Sequence, residues 1–538
     1  MSRDQRFEVA ARNDLPKYRD PGVASAIALA LSVFGSVPVL AAPGSSACTA
    51  LLTQAISSRT MFLRNTTINS ATYVASASGN YCEVSATVAP SHDVLVRLPD
   101  SWKQRYVQYG GGGFDGSIPN LSGGFSTAGK DPVTNGFAVA GDNGGHRGSD
   151  FPGASFAPDR GLALSYATAK IYDTNFVAKA LIQTYYGQPA QYRYFTGCSN
   201  GGKNASVAAS NFAAYFDGVI GGDGVWGHAP DHVGGSDMAG LTSKWSQSVQ
   251  IGALTSAKGT ALYNKTVQTC DAMDGVVDGI VSNVQACPIR QIADSQRCTG
   301  AEDGTCLTDA DIAKVKAHTS SLQLNNQTIG APWAGTANMS GVAGAGLASG
   351  FLTLAFRSAT SIDPLTYNIP NQFNDVAAVL DGVYGMTGDT DGILKFLSAG
   401  KKLFLFHGWE DTTVPSYVSV NFYNALQTAD PQAGLNSRLY MGPAVGHCQG
   451  GAGADSHDLL SVMVNWVEQG VAPGSASNPV YAWKRASTTG PADISGARFS
   501  RPLCPYPQYP SYIGGTGDPN LATNYACVPG PAQPSYTR

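Results

Sequence analysis

The hexapeptide Gly197-Cys198-Ser199-Asn200-Gly201-Gly202 restricts the fold more than any other stretch of the chain. A β-prone run, Tyr192-Arg193-Tyr194-Phe195-Thr196, leads into it, and Lys203 to Ala209 can continue as a helix. Strand, Gly-x-Ser-x-Gly, helix is the pattern of a sharp, strained turn that lifts a serine off the end of a strand. The flanking glycines are needed because such a turn leaves little room for side chains two positions away. Cys198 directly precedes the serine, and far downstream Cys448 directly follows His447. A cysteine beside the candidate nucleophile and another beside the candidate base suggest a disulfide that ties the two halves of an active site together.

The surrounding pattern predicts an α/β fold. Asp93 to Leu98, Arg105 to Tyr109 and Phe137 to Ala140 read as short apolar strands, and Leu162 to Tyr186 has helical spacing. Alternating strands and helices argue a largely parallel sheet. From about Trp226 to Gly388 the alternation breaks into cysteine loops, polar stretches and the Gly/Ala-rich run Gly341–Gly350. It resumes at Lys402-Leu403-Phe404-Leu405-Phe406 and Ser437 to Met441, with Leu459 to Gln469 as a closing helix. The expected organisation is therefore an α/β-hydrolase catalytic domain in two parts, 43–225 and 389–538, around an inserted lid domain, 226–388.

The N-terminus reads as a targeting segment. Arg12, Lys17 and Arg19 precede an apolar run from Val23 to Ala42, broken by Gly35 and Pro38, with small residues near Ala41. A signal peptide over 1–42 places the mature protein outside the cell or in a periplasm; a membrane anchor is the competing reading. All ten cysteines lie beyond this segment, an even number in a chain read as exported, so they predict a disulfide-rich fold. Sequence proximity favours Cys48–Cys82, Cys270–Cys287, Cys298–Cys306 and Cys504–Cys527, which leaves Cys198 with Cys448. A net charge of -4 and no dense basic block argue against nucleic acid as a partner. Past the signal no second membrane-spanning candidate exists.

An alkoxide nucleophile needs a base to take its proton and an acid to orient that base. Ser199, Asp411 and His447 stand in the chain order serine, acid, histidine. Asp411 follows one predicted strand and His447 the next, where such a sheet carries its chemistry. Glu410 competes as the acid, and His407 and His457 compete as the base; His407 reads better as a packing residue at a strand end. The oxyanion requires two backbone N–H donors. Asn200, next to the nucleophile, supplies one, and the loop Gly110-Gly111-Gly112-Gly113 the other, with Gly111 preferred over Gly112.

A separate acidic segment runs from Cys270 to Ile280. Asp271, Asp274 and Asp278 are interleaved with Gly275 and Gly279. Hard oxygen ligands at this density suit Ca²⁺, with the carbonyls of Val276 and Ile280 completing the shell, although the spacing is not that of an EF-hand. A solvated acidic turn is the alternative. Its place in the lid makes a structural role the expected one.

Together these pieces resemble the tannase/feruloyl esterase family of secreted α/β-hydrolases, from about Cys48 to Cys527. The most specific elements are Gly197 to Gly202, Gly446-His447-Cys448, Cys270 to Ile280, and Arg501-Pro502-Leu503-Cys504-Pro505-Tyr506-Pro507. The resemblance implies a disulfide between Cys198 and Cys448, and a structural calcium in the lid held by Asp271, Asp274, Val276, Asp278 and Ile280. It also implies hydrolysis of small-molecule esters of aromatic acids, as in feruloyl esterases and tannases. The family includes a hydrolase of mono(2-hydroxyethyl) terephthalate, whose carboxylate-gripping arginine lies in a Trp-rich lid stretch. The comparable stretch here, Gly346 to Phe356, has neither arginine nor tryptophan, Arg357 lies just beyond it, and Asn200 replaces a glutamate. The reading is therefore a feruloyl esterase or tannase type serine esterase. The alternatives are a terephthalate-monoester hydrolase, a non-catalytic binding protein on this scaffold, and thiol catalysis by Cys198. Trp245 and Phe351 are lid aromatics placed either against the acyl group or in the core.

Overall fold

The computed structural model describes residues 44–531 apart from 57–59, 63, 149–153, 228–236, 343 and 487–495. The predicted signal segment, 1–42, lies outside the described residues.

Three antiparallel strands open the sheet: β1 (Thr66–Val74), β2 (Tyr81–Val88) and β3 (His92–Pro99). β4 (Arg105–Tyr109), β5 (Phe137–Asp142), β6 (Tyr192–Cys198) and β7 (Gly218–Gly222) follow. A short hairpin, β8 (Leu322–Leu324) with β9 (Gln327–Gly330), stands apart from them. β10 (Lys402–Gly408) and β11 (Ser437–Gly442) then complete a nine-stranded sheet in the order β1-β2-β3-β5-β4-β6-β7-β10-β11. From β5 through β11 every neighbouring pair is parallel.

The near-continuous apolar strands mark a sheet covered on both faces. In β10, Leu403 and Leu405 join the hydrophobic layer on one side, with Val177, Leu181 and Val207 from helices Lys170–Tyr186 and Asn200–Asn211. Phe404 and Phe406 join the opposite layer, under Leu459, Met463 and Trp466 of helix Leu459–Gln469. All four β10 side chains are fully buried. Each such burial contributes about 1.5–3 kcal/mol relative to exposure. Helices Lys170–Tyr186 and Leu459–Gln469 stop where left-handed backbone is available, at Gly187 (φ 73°) and Gly470 (φ 69°).

β7 and β10 are direct neighbours, so the chain leaves and rejoins the sheet at adjacent strands. The interval holds helices Met238–Ile251, Ser256–Cys270, Asp309–His318 and Ala345–Phe356, together with the β8–β9 hairpin. Disulfides Cys270–Cys287 and Cys298–Cys306 close loops within it. Cys48–Cys82 pins the leading helix, and Cys504–Cys527 pins the tail. Among the described residues, no helix is long and apolar enough to cross a membrane.

Candidate active site

β6 runs straight into the turn at Ser199, whose backbone sits at φ 63° and ψ -121°. This is a conformation L-residues seldom adopt, and it turns the serine out of the strand line. Ser199 N–H donates to Gly222 O at 2.9 Å, and Ser199 O accepts from Lys203 N at 3.0 Å, starting the helix. Packing explains the glycines. A Cβ on Gly197 would lie 2.7 Å from Gly201 Cα, and one on Gly201 would lie 2.7 Å from Gly110 O.

Asp411 stands three residues beyond β10 and is fully buried. Its Oδ1 accepts N–H bonds from Thr413 (2.7 Å) and Val414 (2.9 Å). Its Oδ2 lies 2.6 Å from His447 Nδ1, on the loop after β11. A carboxylate only accepts, so Nδ1 carries a proton and proton exchange with a bound group falls to Nε2. Burial opposes protonation of His447, but the adjacent Asp411 charge outweighs it and lifts the imidazole to about 9. Burial pushes the Asp411 carboxyl up; His447 and His407 overcome that and hold it well below the usual carboxylate range. The Cys198–Cys448 disulfide joins the residue before Ser199 to the residue after His447, with Cα atoms 5.9 Å apart.

His407 is not simply a packing residue. Its Nε2 lies 3.2 Å from Val414 O, which only accepts, so Nε2 bears hydrogen. The same Nε2 is 3.3 Å from Asp411 Oδ2 and 3.7 Å from Asp223 Oδ1, while Nδ1 is 2.7 Å from Ser419 Oγ. The ring is a donor aimed at the acid rather than a rival base. The spacing of His407 and Asp411, four residues apart across a strand end, was the available signal. Asp223, just past β7, is a second buried carboxylate. It accepts from Gly408 N at 3.0 Å and lies 3.4 Å from Cys198 Sγ. Burial raises it to about 6. Asp223, Asp411 and His447 each place a donor atom within 4.8 Å of the others, a group able to hold a metal ion.

The other candidates lie elsewhere. Tyr263 Oη donates to Glu410, 3.2 Å from either carboxylate oxygen. His457 is buried against Phe125 and Phe406, and burial lowers it to about 4. Trp245 donates Nε1–H to Thr413 O at 2.6 Å, against the Asp411 loop, and Phe351 stacks on Trp245 and lies beside Phe114. Arg357 is exposed at the end of helix Ala345–Phe356. All ten cysteines are in disulfides, so Cys198 is not a thiol nucleophile.

Gly110 spends its N–H on Thr196 O at 2.9 Å, which anchors the glycine loop to β6 one step before Gly111. A cavity of about 530 Å³ runs along this loop, walled by Gly110–Gly112, Phe125, His457 and the Cys198–Cys448 disulfide.

In the acidic segment, Asp271 accepts from Asp278 N (3.2 Å) and Gly279 N (2.9 Å). Asp274 accepts from Val276 N (3.3 Å) and Ser282 N (3.2 Å), and burial raises its carboxyl to about 6. Both are buried, and among the described residues neither has a cationic partner. Asp278 pairs with Arg501. Two buried carboxylates offset only by N–H groups suit a hard cation. Their oxygens and that of Asp278 are not gathered within 4.8 Å of one another.

Comparison with known proteins identifies the family. Residues 76–344 and 320–528 match the family model described as tannase and feruloyl esterase. The mono(2-hydroxyethyl) terephthalate hydrolase of Piscinibacter sakaiensis is 28% identical over 86% of this chain and 87% of its own length. Feruloyl esterase B of Aspergillus niger is 26% identical over 84% and 87%. The crystal structure of feruloyl esterase B from Aspergillus oryzae superposes with a TM-score of 0.74 at 21% identity, covering 90% of this chain and all of that one. The chain belongs to the tannase and feruloyl esterase family of carboxylic ester hydrolases.

Proposed function

We propose that the protein is an exported serine esterase that cleaves esters of aromatic acids, of the feruloyl esterase or tannase type, through an acyl-enzyme. The observation that carries this reading is the Asp411–His447 pair, bridged to the Ser199 turn by Cys198–Cys448. Ser199 Oγ attacks the ester carbonyl as His447 Nε2 takes its proton. Backbone N–H groups of Asn200 and Gly111 hold the oxyanion. The tetrahedral intermediate expels the alcohol, which takes the proton from His447, and water repeats the sequence to release the acid. Asp411 keeps the imidazole in the required tautomer. Five disulfides and the N-terminal segment support export. The 226–388 interval serves as the lid, its Trp245 bracing the Asp411 loop through Thr413.

A fluorophosphonate probe tests the mechanism. It is expected to label one site, mapped by peptide mass to Ser199, and to abolish turnover. No labelling at Ser199 overturns the reading in favour of a binding protein. Initial rates on methyl ferulate, methyl gallate and mono(2-hydroxyethyl) terephthalate assign the acyl group. The first two are expected to be preferred, because Gly346 to Phe356 offers no arginine for a free carboxylate. Preference for the terephthalate ester establishes the second reading, which the similarity to the Piscinibacter enzyme favours.

A structural Ca²⁺ would be held by Asp271 and Asp274 with the carbonyls of Val276 and Ile280, and by Asp278 once it gives up Arg501, stabilising the lid without entering the reaction. Saturating Ca²⁺ added to chelator-treated protein is expected to raise the unfolding free energy by about 2–4 kcal/mol. Asp271→Asn with Asp274→Asn is expected to remove that increment. Identical melting curves with chelator and with Ca²⁺ would rule the ion out.

A further inference from the structure

The two proposed oxyanion donors belong to different elements. Gly111 lies on the loop after β4, and Asn200 opens the helix after Ser199. Their separation must be held for the oxyanion to meet both. The backbones already touch: a Cβ on Gly110 would stand 2.8 Å from Gly201 Cα. One buried carboxylate, Asp115, spans the same joint from the side.

Asp115 Oδ1 accepts from Asn200 Nδ2. Its Oδ2 accepts from Lys170 Nζ at 2.7 Å, and both side chains of this ion pair are buried. Its own N–H donates to Gly112 O at 2.9 Å. The carboxylate lies close enough to Gly111 that a Cβ there would stand 3.2 Å from Oδ2. Asp115 therefore touches both sides of the joint at once. Asn200 Oδ1 is buried and has no partner among the described residues, so Asp115 anchors this amide. Tyr166 Oη donates to Gly113 O at 3.0 Å, holding the far end of the loop. Its ring lies 4.6 Å from the ammonium groups of both Lys170 and Lys203. Asp115 itself sits at φ 51°, where aspartate and asparagine are tolerated better than most residues. An unusual backbone conformation, a buried ion pair and a single amide anchor meet at this one residue.

We propose that Asp115 is a positioning residue for the oxyanion hole. Through the Asn200 side chain, and against the glycine loop, it fixes Gly111 N–H and Asn200 N–H in one relative placement. The proposal rests on the serine esterase reading above. Its contribution belongs to the transition state: the ester carbonyl gains its full charge only in the tetrahedral intermediate. Loss of the anchor is thus expected in kcat and not in KM.

Three variants test it. Asn200→Ala removes the anchored side chain and keeps the backbone donor. Asp115→Gly, which tolerates the positive φ, paired with Lys170→Met so that no ammonium is left buried alone, removes the anchor from the other side. The third combines all the changes. Each is measured for kcat and KM on the best ester of the panel, for affinity toward phenylboronic acid, which forms a tetrahedral anionic adduct with a reactive serine, and for melting temperature. Outright loss of a donor costs about 10²–10³ in kcat. A displaced donor is expected to cost about 10- to 100-fold, with KM within about 2-fold and boronate affinity falling in step with kcat. The combined variant is expected to be no slower than the slower of the other two, since both act on one contact. Asn200→Ala folded and within about 2-fold of wild-type kcat overturns the proposal, and so do multiplying losses. Wild-type protein that fluorophosphonate leaves unlabelled at Ser199 overturns the esterase reading and this proposal together. Labelled wild type with an unimpaired Asn200→Ala overturns this proposal alone.

Discussion

Replacing Ser199 with alanine is expected to lower kcat by about 10⁵- to 10⁶-fold, with KM changed only a few-fold. The magnitude follows from chemistry rather than from folding. In the proposed mechanism Ser199 Oγ bonds the acyl carbon, and without it His447 has no alkoxide to generate. The residual rate is that of a bound ester attacked by water beside an intact oxyanion hole. The substitution is also mild for the fold. Ser199 holds φ 63° with a Cβ already present, so alanine adds no new backbone strain. Its two backbone hydrogen bonds, to Gly222 O and from Lys203 N, do not involve the side chain. Melting curves are expected to overlay, which makes the kinetic comparison clean. Comparable turnover by Ser199→Ala and wild type would sink the serine mechanism.

The turn at Ser199 was legible because it is local. A β-run, two glycine positions and a following helix leave few alternatives, and Ser199 takes the backbone conformation such a turn requires. The parallel sheet was legible for a related reason: β10 carries the short unbroken apolar run Leu403–Phe406, which a doubly covered sheet accommodates. The surroundings of the acid were not. His407 reads as strand-end packing, because sequence does not say that its Nε2 turns toward Asp411 rather than into the core. Asp223 and Asp115 passed unnoticed for the same reason. Each is an aspartate before a glycine, which sequence reads as a turn, and its partners are far away in the chain: Gly408 for Asp223, and Lys170 and Asn200 for Asp115. The acidic segment was legible as a cluster, but the pairing of Asp278 with Arg501 was not, since it spans 223 residues.

Removing the Cys198–Cys448 bridge, by replacing both cysteines with alanine, is expected to act on stability and on rate through separate causes. The bridge closes a sequence separation of 250. Chain-entropy arguments assign a loop of that size about 5 kcal/mol of stabilisation, because the unfolded chain loses so many conformations when it is closed. The other four bridges span 8 to 34 residues and contribute less on the same basis. The kinetic effect has a different origin. Ser199 rides on β6, and His447 rides on the loop beyond β11, with β7 and β10 between their strands. Without the bridge their register depends on packing across those strands and on the Asp411–His447 hydrogen bond alone. A drift of about 1 Å between nucleophile and base is enough to cost about 10²-fold. The double variant is therefore expected to be slower by about that factor even at temperatures where it is fully folded. Reducing agent cannot substitute for this variant, since it would open the other bridges as well. A double variant with wild-type kcat and an unfolding free energy lowered by about 5 kcal/mol would make the bridge a staple for the fold only. One with both quantities unchanged would show that the sheet, and not the sulfur bridge, holds serine and histidine together.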